Sequence, residues 1–200
     1  MNTKIKPMGV TMKLKKLSYR NAFYHVTELE NLENIIKHNG LYSLENMVRN
    51  NIPFTPISND ISWNCDYYKN IANFVKLSFN MENDMIKSKM YKRILKNPVI
   101  LIFSNDIVDL PNTKYCYGNS AKSDSYVHNI SEMEQNMLNA IYDISNKHSR
   151  QSELLIENHL NLKYLKYIVL PKNATRDIGL ASFFSGKSIT FLENLIKSTL

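Results

Sequence analysis

Cysteine is nearly absent: the 200-residue chain holds only Cys65 and Cys116, far apart and in no CxxC pair. That excludes a disulfide scaffold and a cysteine-ligated zinc site, and it fits a reducing compartment. Also missing is any apolar run approaching the roughly 18–20 residues that span a bilayer, and the lysine-rich start lacks the apolar stretch of a secretion signal. The expectation is a soluble, cytoplasmic protein with no membrane partner. No HExxH or aspartate-rich calcium loop gathers the five histidines, so no metal site is expected. The GxGxxG and GxSxG patterns are absent too, and Ser185-Gly186-Lys187-Ser188 keeps only the last three residues of a phosphate-binding GxxxxGK[ST] loop. Acids are lacking from residues 1–20, where Lys4, Lys6, Lys13, Lys15, Lys16 and Arg20 stand unopposed.

What the chain does contain is enough for a core. Hydrophobic residues make up 44%, with twelve tyrosines and eight phenylalanines, which excludes a largely disordered polymer. A chain of this size commonly removes about two thirds of its surface from water as one domain. Residues 1–18 read as a flexible basic lead and 19–200 as that single domain. Lys and Arg outnumber Asp and Glu by 25 to 18, a formal charge of +7. A second basic cluster runs through Lys87, Lys89, Lys92, Arg93 and Lys96. Such clusters attract a polyanion by screened Coulomb forces and counterion release, or they are simply a solvated face.

Periodicity orders the elements. A strand is expected at about 22–27, followed by a helix over Glu28–His38 in which Leu29, Leu32, Ile35 and Ile36 recur at helical spacing. Thr27 would cap it with Glu30 completing a capping box, and Asn39-Gly40 would stop it, glycine taking the left-handed conformation. A short helix is expected over 44–51. The polar, proline-broken stretch 52–64 reads as an ordered loop carrying Trp63. Strands are expected at Phe74–Phe79 and Val99–Phe103, with a basic helix over 82–96 between them. Residues 104–126 read as a second long loop, and 131–144 as a helix. Further strands are expected near 153–157 and 167–170, with a short helix or turn at about 161–165 between them. Phe183 to Gly186 and an apolar stripe through Phe191, Leu192, Leu195 and Ile196 close the chain. The series is α+β with mixed strands rather than regular βαβ units.

Two segments combine reactive groups with buried strands. His25 and Thr27 are two residues apart, so strand geometry puts both on one face, where an imidazole and a hydroxyl suit a sugar or diphosphate. His25 could equally be a satisfied core histidine. Glu153 opens the apolar run Leu154-Leu155-Ile156 with Ser152 before it; a carboxylate at such a strand end can stabilise positive charge developing on a sugar carbon. Glu157, at the far end, reads as an edge charge.

Phe23-Tyr24-His25-Val26-Thr27-Glu28-Leu29-Glu30-Asn31-Leu32 through Ile36, with Asn39-Gly40-Leu41-Tyr42-Ser43, resembles the opening of the DarT family of toxins. Asn73 to Phe79 with Met85, the loop Tyr117-Gly118-Asn119-Ser120-Ala121, and Arg150-Gln151-Ser152-Glu153-Leu154-Leu155-Ile156 continue the resemblance in order, over roughly residues 22–170. It implies an ADP-ribosyltransferase-like fold: a mixed, largely antiparallel sheet split around an NAD cleft with flanking helices. It implies transfer of ADP-ribose from NAD to a base of single-stranded DNA, as the toxin of a pair with an antitoxin protein. His25, Thr27, Asn31, Gly40 and Leu41 would hold NAD, Glu153 would be the catalytic glutamate, and Arg49 would be the arginine that contacts the cofactor phosphate. Trp63, Lys89, Lys92, Tyr117 and Asn119 would meet nucleic acid, an unpaired base stacking on aromatics while lysines track the backbone. Tyr67, Tyr68 and Tyr115 are further stacking candidates. Two alternatives stay open: an RNA or protein acceptor, and a binding module without catalysis.

Overall fold

The computed structural model describes residues 22–57, 60–81, 83–171 and 188–191. The basic lead, the Phe183–Gly186 segment and most of the C-terminal stripe lie outside them. The frame is an eight-stranded sheet in the order β10-β9-β4-β1-β3-β7-β5-β6. Its strands are β1 (Ala22–Glu28), β3 (Phe74–Ser78), β4 (Pro98–Ser104), β5 (Lys114–Cys116), β6 (Val127–Asn129), β7 (Glu153–Glu157), β9 (Leu165–Leu170) and β10 (Ser188–Phe191). Every pairing is antiparallel except β9 with β10. A small antiparallel pair, β2 (Gly40–Tyr42) and β8 (His159–Asn161), sits beside it. The described α-helices are α1 (Leu32–Lys37), α2 (Leu44–Arg49), α3 (Asp60–Tyr68), α4 (Asp84–Tyr91) and α5 (Gln135–Tyr142).

β4 holds the middle because it is buried along its whole length, which is why it reads as an unbroken apolar run instead of alternating. One face of the sheet carries Phe23, Leu77, Leu101, Phe103, Leu154 and Ile156 against Leu138, Ile141 and Tyr142 of α5. Phe79 is wedged there, edge-on to Phe23 at 5.1 Å and to Tyr142 at 6.1 Å. The opposite face is covered in two patches, Val26, Ile100, Ile102 and Val169 with Leu95, and Ile71, Phe74, Cys116 and Leu155.

The sheet divides at one seam. β1 pairs with β4 from Ala22 to Glu28, yet it meets β3 at a single register position, Tyr24 opposite Ser78. β3 in turn pairs fully with β7, Ser78 lying opposite Glu153. Beyond Tyr24 the edges of β1 and β3 diverge, and their backbone groups line a gap.

Several expected elements take a different form. The first helix begins with a 3-10 turn, Leu29–Asn31, and is helical only from Leu32. Thr27 does not cap it: its hydroxyl accepts from Asn31 Nδ2 at 2.9 Å, while Glu30 accepts from the Thr55 hydroxyl at 3.0 Å. Glu28 stays in the strand and its carboxylate accepts from the Lys96 and Asn97 N–H groups at 2.6 and 2.9 Å, fixing the turn into β4. Asn39, with φ of 53°, supplies the left-handed residue in place of Gly40. Gly40 is needed for proximity, because a Cβ there would lie 2.1 Å from His159 Nε2 and 2.5 Å from the Leu160 carbonyl. Trp63 is on α3, not in a loop, and the long loop 104–126 contains β5, which joins the main sheet.

Candidate active site

The gap between β1 and β3 opens into a cavity of about 270 Å³. β1 contributes Tyr24 to Thr27, β3 contributes Phe74 to Ser78, and β7 contributes Glu153. Asn31, Gly40, Leu41, Tyr42, Phe54, Trp63, Asp66, Lys89 and Asn119 complete the wall. The early histidine strand and the late glutamate strand therefore face one cavity.

His25 spans the seam. Its Nδ1 donates to the Lys76 carbonyl at 3.1 Å, since a carbonyl can only accept. Burial pulls the imidazole below its usual pKa, partly offset by that bond, so the ring is neutral near pH 7 with Nε2 left as an acceptor. Thr27 and Asn31 form a second fastening. Asn31 Nδ2 donates to Thr27 Oγ1 and to the Thr55 carbonyl, both at 2.9 Å, and its Oδ1 accepts from Thr55 N at 2.6 Å. That side chain pins the loop bearing Phe54, whose ring packs 5.7 Å from Trp63.

Glu153 is only 6% exposed. Its Oε2 accepts from Ser120 twice, from the amide at 2.9 Å and the hydroxyl at 2.5 Å. Among the described residues nothing bonds Oε1, which is left for the cavity. The segment before Glu153 is anchored as well. Arg150 grips Asp84 through Nε and one terminal nitrogen at 2.9–3.1 Å, and donates to the Ile144 carbonyl at 2.7 Å. Since Asp84 opens α4, this pair also sets the helix that carries Lys89.

The charges are arranged in sequence. Lys76 is neutralised by Asp66 of α3 at 2.5 Å. Lys89 lacks such a partner among the described residues; burial lowers its pKa, the Glu153 carboxylate opposes the drop and the Lys76 ammonium adds to it. A carboxylate and an unpaired ammonium thus share one half-dry wall. Cys116, opposite Glu153 on β5, is pushed up to about 11 by burial and by that carboxylate, so it is no thiolate nucleophile.

The structure brings His25, Thr27, Asn31, Gly40, Leu41, Trp63, Lys89, Asn119 and Glu153 together. Three expected residues are elsewhere. Arg49 is paired with Glu45 one helical turn away at 2.6 Å, its side chain 67% exposed, and it does not line the cavity. Lys92 is an exposed residue just past α4. Tyr117 stacks on His148 and packs against the core. Among the other stacking candidates, Tyr115 is buried against His128, whereas Tyr67 and Tyr68 are exposed on α3. Tyr42, in the Asn39-to-Ser43 turn that the resemblance assigns to the cofactor, lines the cavity, whereas Ser120, Asp66, Lys76 and Phe54 line or support it without a role read from the sequence. Only Ser120, inside the Gly118-Asn119-Ser120 loop, carried a local hint.

Comparison with known proteins agrees with this fold. Residues 24–183 match the family described as ssDNA thymidine ADP-ribosyltransferase, DarT. The fold is similar to Thermosipho africanus DarTG in complex with ADP-ribose, with a TM-score of 0.65 at 14% identity, covering 85% of this chain and 49% of that one. This chain therefore spans about half the length of that relative. Thermus sp. 2.9 DarT in complex with ADP-ribosylated ssDNA gives 0.63 at 13% identity, with 88% and 96% covered, and its NAD+ complex gives 0.61 at the same identity and coverage. No curated protein matches the sequence. With four fifths of its length inside the family match, the chain belongs to the DarT family of ADP-ribosyltransferases.

Proposed function

We propose that this chain transfers ADP-ribose from NAD to a base of single-stranded DNA and releases nicotinamide. The observation that supports it most is Glu153, held by Ser120 at one end of the cavity that the His25 seam opens. The donor set suits NAD: an imidazole acceptor, amide and hydroxyl groups, aromatic faces from Tyr42, Phe54 and Trp63, and a lysine with no salt-bridge partner among the described residues. Bound NAD would supply a ribosyl carbon that gains positive charge as nicotinamide leaves.

Glu153 Oε1 directs negative charge to that carbon without reorganising, because Oε2 is already fixed. His25, Thr27, Asn31, Gly40 and Leu41 hold the cofactor along the seam, and the Phe54–Trp63 pair shields it from water. Lys89 and Asn119, beside Glu153, face the incoming base, and Lys92 on the surface meets phosphate. Arg49 would reach the cofactor only by leaving Glu45. Thymidine, which the family description names, is the acceptor on this reading. Residues 19–200 act as one domain, in the cytoplasm, as a toxin neutralised by an antitoxin protein. No helix among the described residues is long and apolar enough to cross a membrane.

The test is incubation with radiolabelled NAD and, separately, single-stranded DNA, RNA of the same sequence, and protein. Label on the DNA alone supports the reading. Label on RNA or protein overturns the acceptor, and tight oligonucleotide binding with no NAD consumption overturns the enzyme.

A further inference from the structure

Lys69 follows α3 directly and reaches the loop between β5 and β6. Its Nζ donates to three main-chain carbonyls there, Ser120 at 2.7 Å, Lys122 at 2.7 Å and Ser125 at 2.6 Å. An ammonium has three protons, and each is matched by one loop oxygen. Three carbonyl dipoles aimed at one point repel unless a cation sits there, so the loop's path depends on this side chain. Its own bonds are few: Lys122 N–H to the Asn119 carbonyl and Ser125 N–H to the Lys122 carbonyl, both at 3.2 Å, and Ala121 N–H to the Asn119 side-chain oxygen at 2.9 Å.

The first of those carbonyls belongs to the residue that fixes Glu153. Ser120 turns its carbonyl to Lys69 while its N–H and hydroxyl hold Oε2. We propose that Lys69 is a positioning residue for Glu153: it locks the loop so that Ser120 presents both donors and Oε1 stays turned to the cavity. The same lysine ends the helix that bears Trp63 and Asp66, so one ammonium ties the cavity wall to the support of the carboxylate. The kinetic part of this inference rests on the transferase reading; the structural part does not.

The test compares Lys69→Met with the wild type. Amide hydrogen exchange, measured without NAD, should quicken at least tenfold over residues 118–125 in the variant and stay unchanged along β7. The kcat for nicotinamide release should fall about 10- to 100-fold with KM for NAD within about twofold, since an interaction that matters as charge develops is lost. Ser120→Ala should lower kcat too, and the double variant should be no slower than the worse single one. Lys69→Gln, whose amide has two protons for three carbonyls, serves should Lys69→Met fail to fold, with the same result expected. Unchanged exchange over 118–125, or losses that multiply in the double variant, overturns the proposal. A wild-type chain that releases no nicotinamide overturns the transferase reading instead, and the exchange result still decides the role of Lys69.

Discussion

Glu153 binds Ser120 through one carboxylate oxygen, and its other oxygen has no partner among the described residues in a side chain that lines the cavity. Ser120→Ala removes the hydroxyl bond and keeps the amide bond, so nicotinamide release should slow by about tenfold, the order of one charge-assisted hydrogen bond. An unchanged rate in a steady-state assay would contradict the assignment. His25 and His159 provide a second prediction. Burial lowers both pKa values, so between the folded and unfolded values the unfolded chain binds protons that the folded chain refuses. Stability should therefore be level above about pH 6.5 and decline as pH falls below it. Urea midpoints at pH 7.5 and 5.5 check the sign, and equal midpoints would contradict it. His25 and Glu153 were legible because each sits in a strand signature with an unusual polar residue. Asp66 and Lys76 were not, since ten residues of sequence give no sign that a helix will fold back over β3 to pair them.

Among the elements, the helix ends are the most readable in retrospect. Asn39, Asn51 and Asn70 adopt φ of 50–54° just beyond α1, α2 and α3, the place glycine usually fills. α4 instead ends near Arg93 at φ of 55°, a conformation costing roughly 1 kcal/mol for such a side chain. Arg93→Gly should raise stability by about 0.5 kcal/mol after the entropy of the freer unfolded chain is counted, readable as a higher urea midpoint. Gly40→Ala should do the reverse. The added methyl meets a ring nitrogen and a backbone oxygen, so β2 and β8 must separate at a cost of roughly 1–3 kcal/mol. Calorimetry showing no fall in Tm would refute the close-approach role. Here the sequence was half informative: Asn39-Gly40 marked the stop, but a left-handed need and a proximity need look alike without β8. The helix carrying Trp63 was hidden by prolines preceding it, and β5 by its brevity, since a three-residue strand exists only through its pairing with β7 and β6.

At the scale of the whole molecule, the basic clusters and the cavity are different things. Lys89 was grouped by sequence with Lys92, and the fold separates them, one at the cavity wall and one on the surface. Lys92→Glu should weaken single-stranded DNA binding and reduce the salt slope by about one, whereas Lys89→Met should lower turnover more than it changes that slope. Fluorescence anisotropy across a salt series separates the two, and an unchanged slope for Lys92→Glu would return that lysine to a solvated face. The seam between β1 and β3, opened near Tyr24 and crossed by His25, gives onto the cavity that Glu153 lines. The most direct measurement is nicotinamide release from NAD in the presence of single-stranded DNA, comparing the wild type with Glu153→Gln at matched urea midpoint. A loss of at least about a thousandfold in the variant is predicted from removing preorganised charge at the reacting carbon. Release at a rate near that of the wild type would contradict the account.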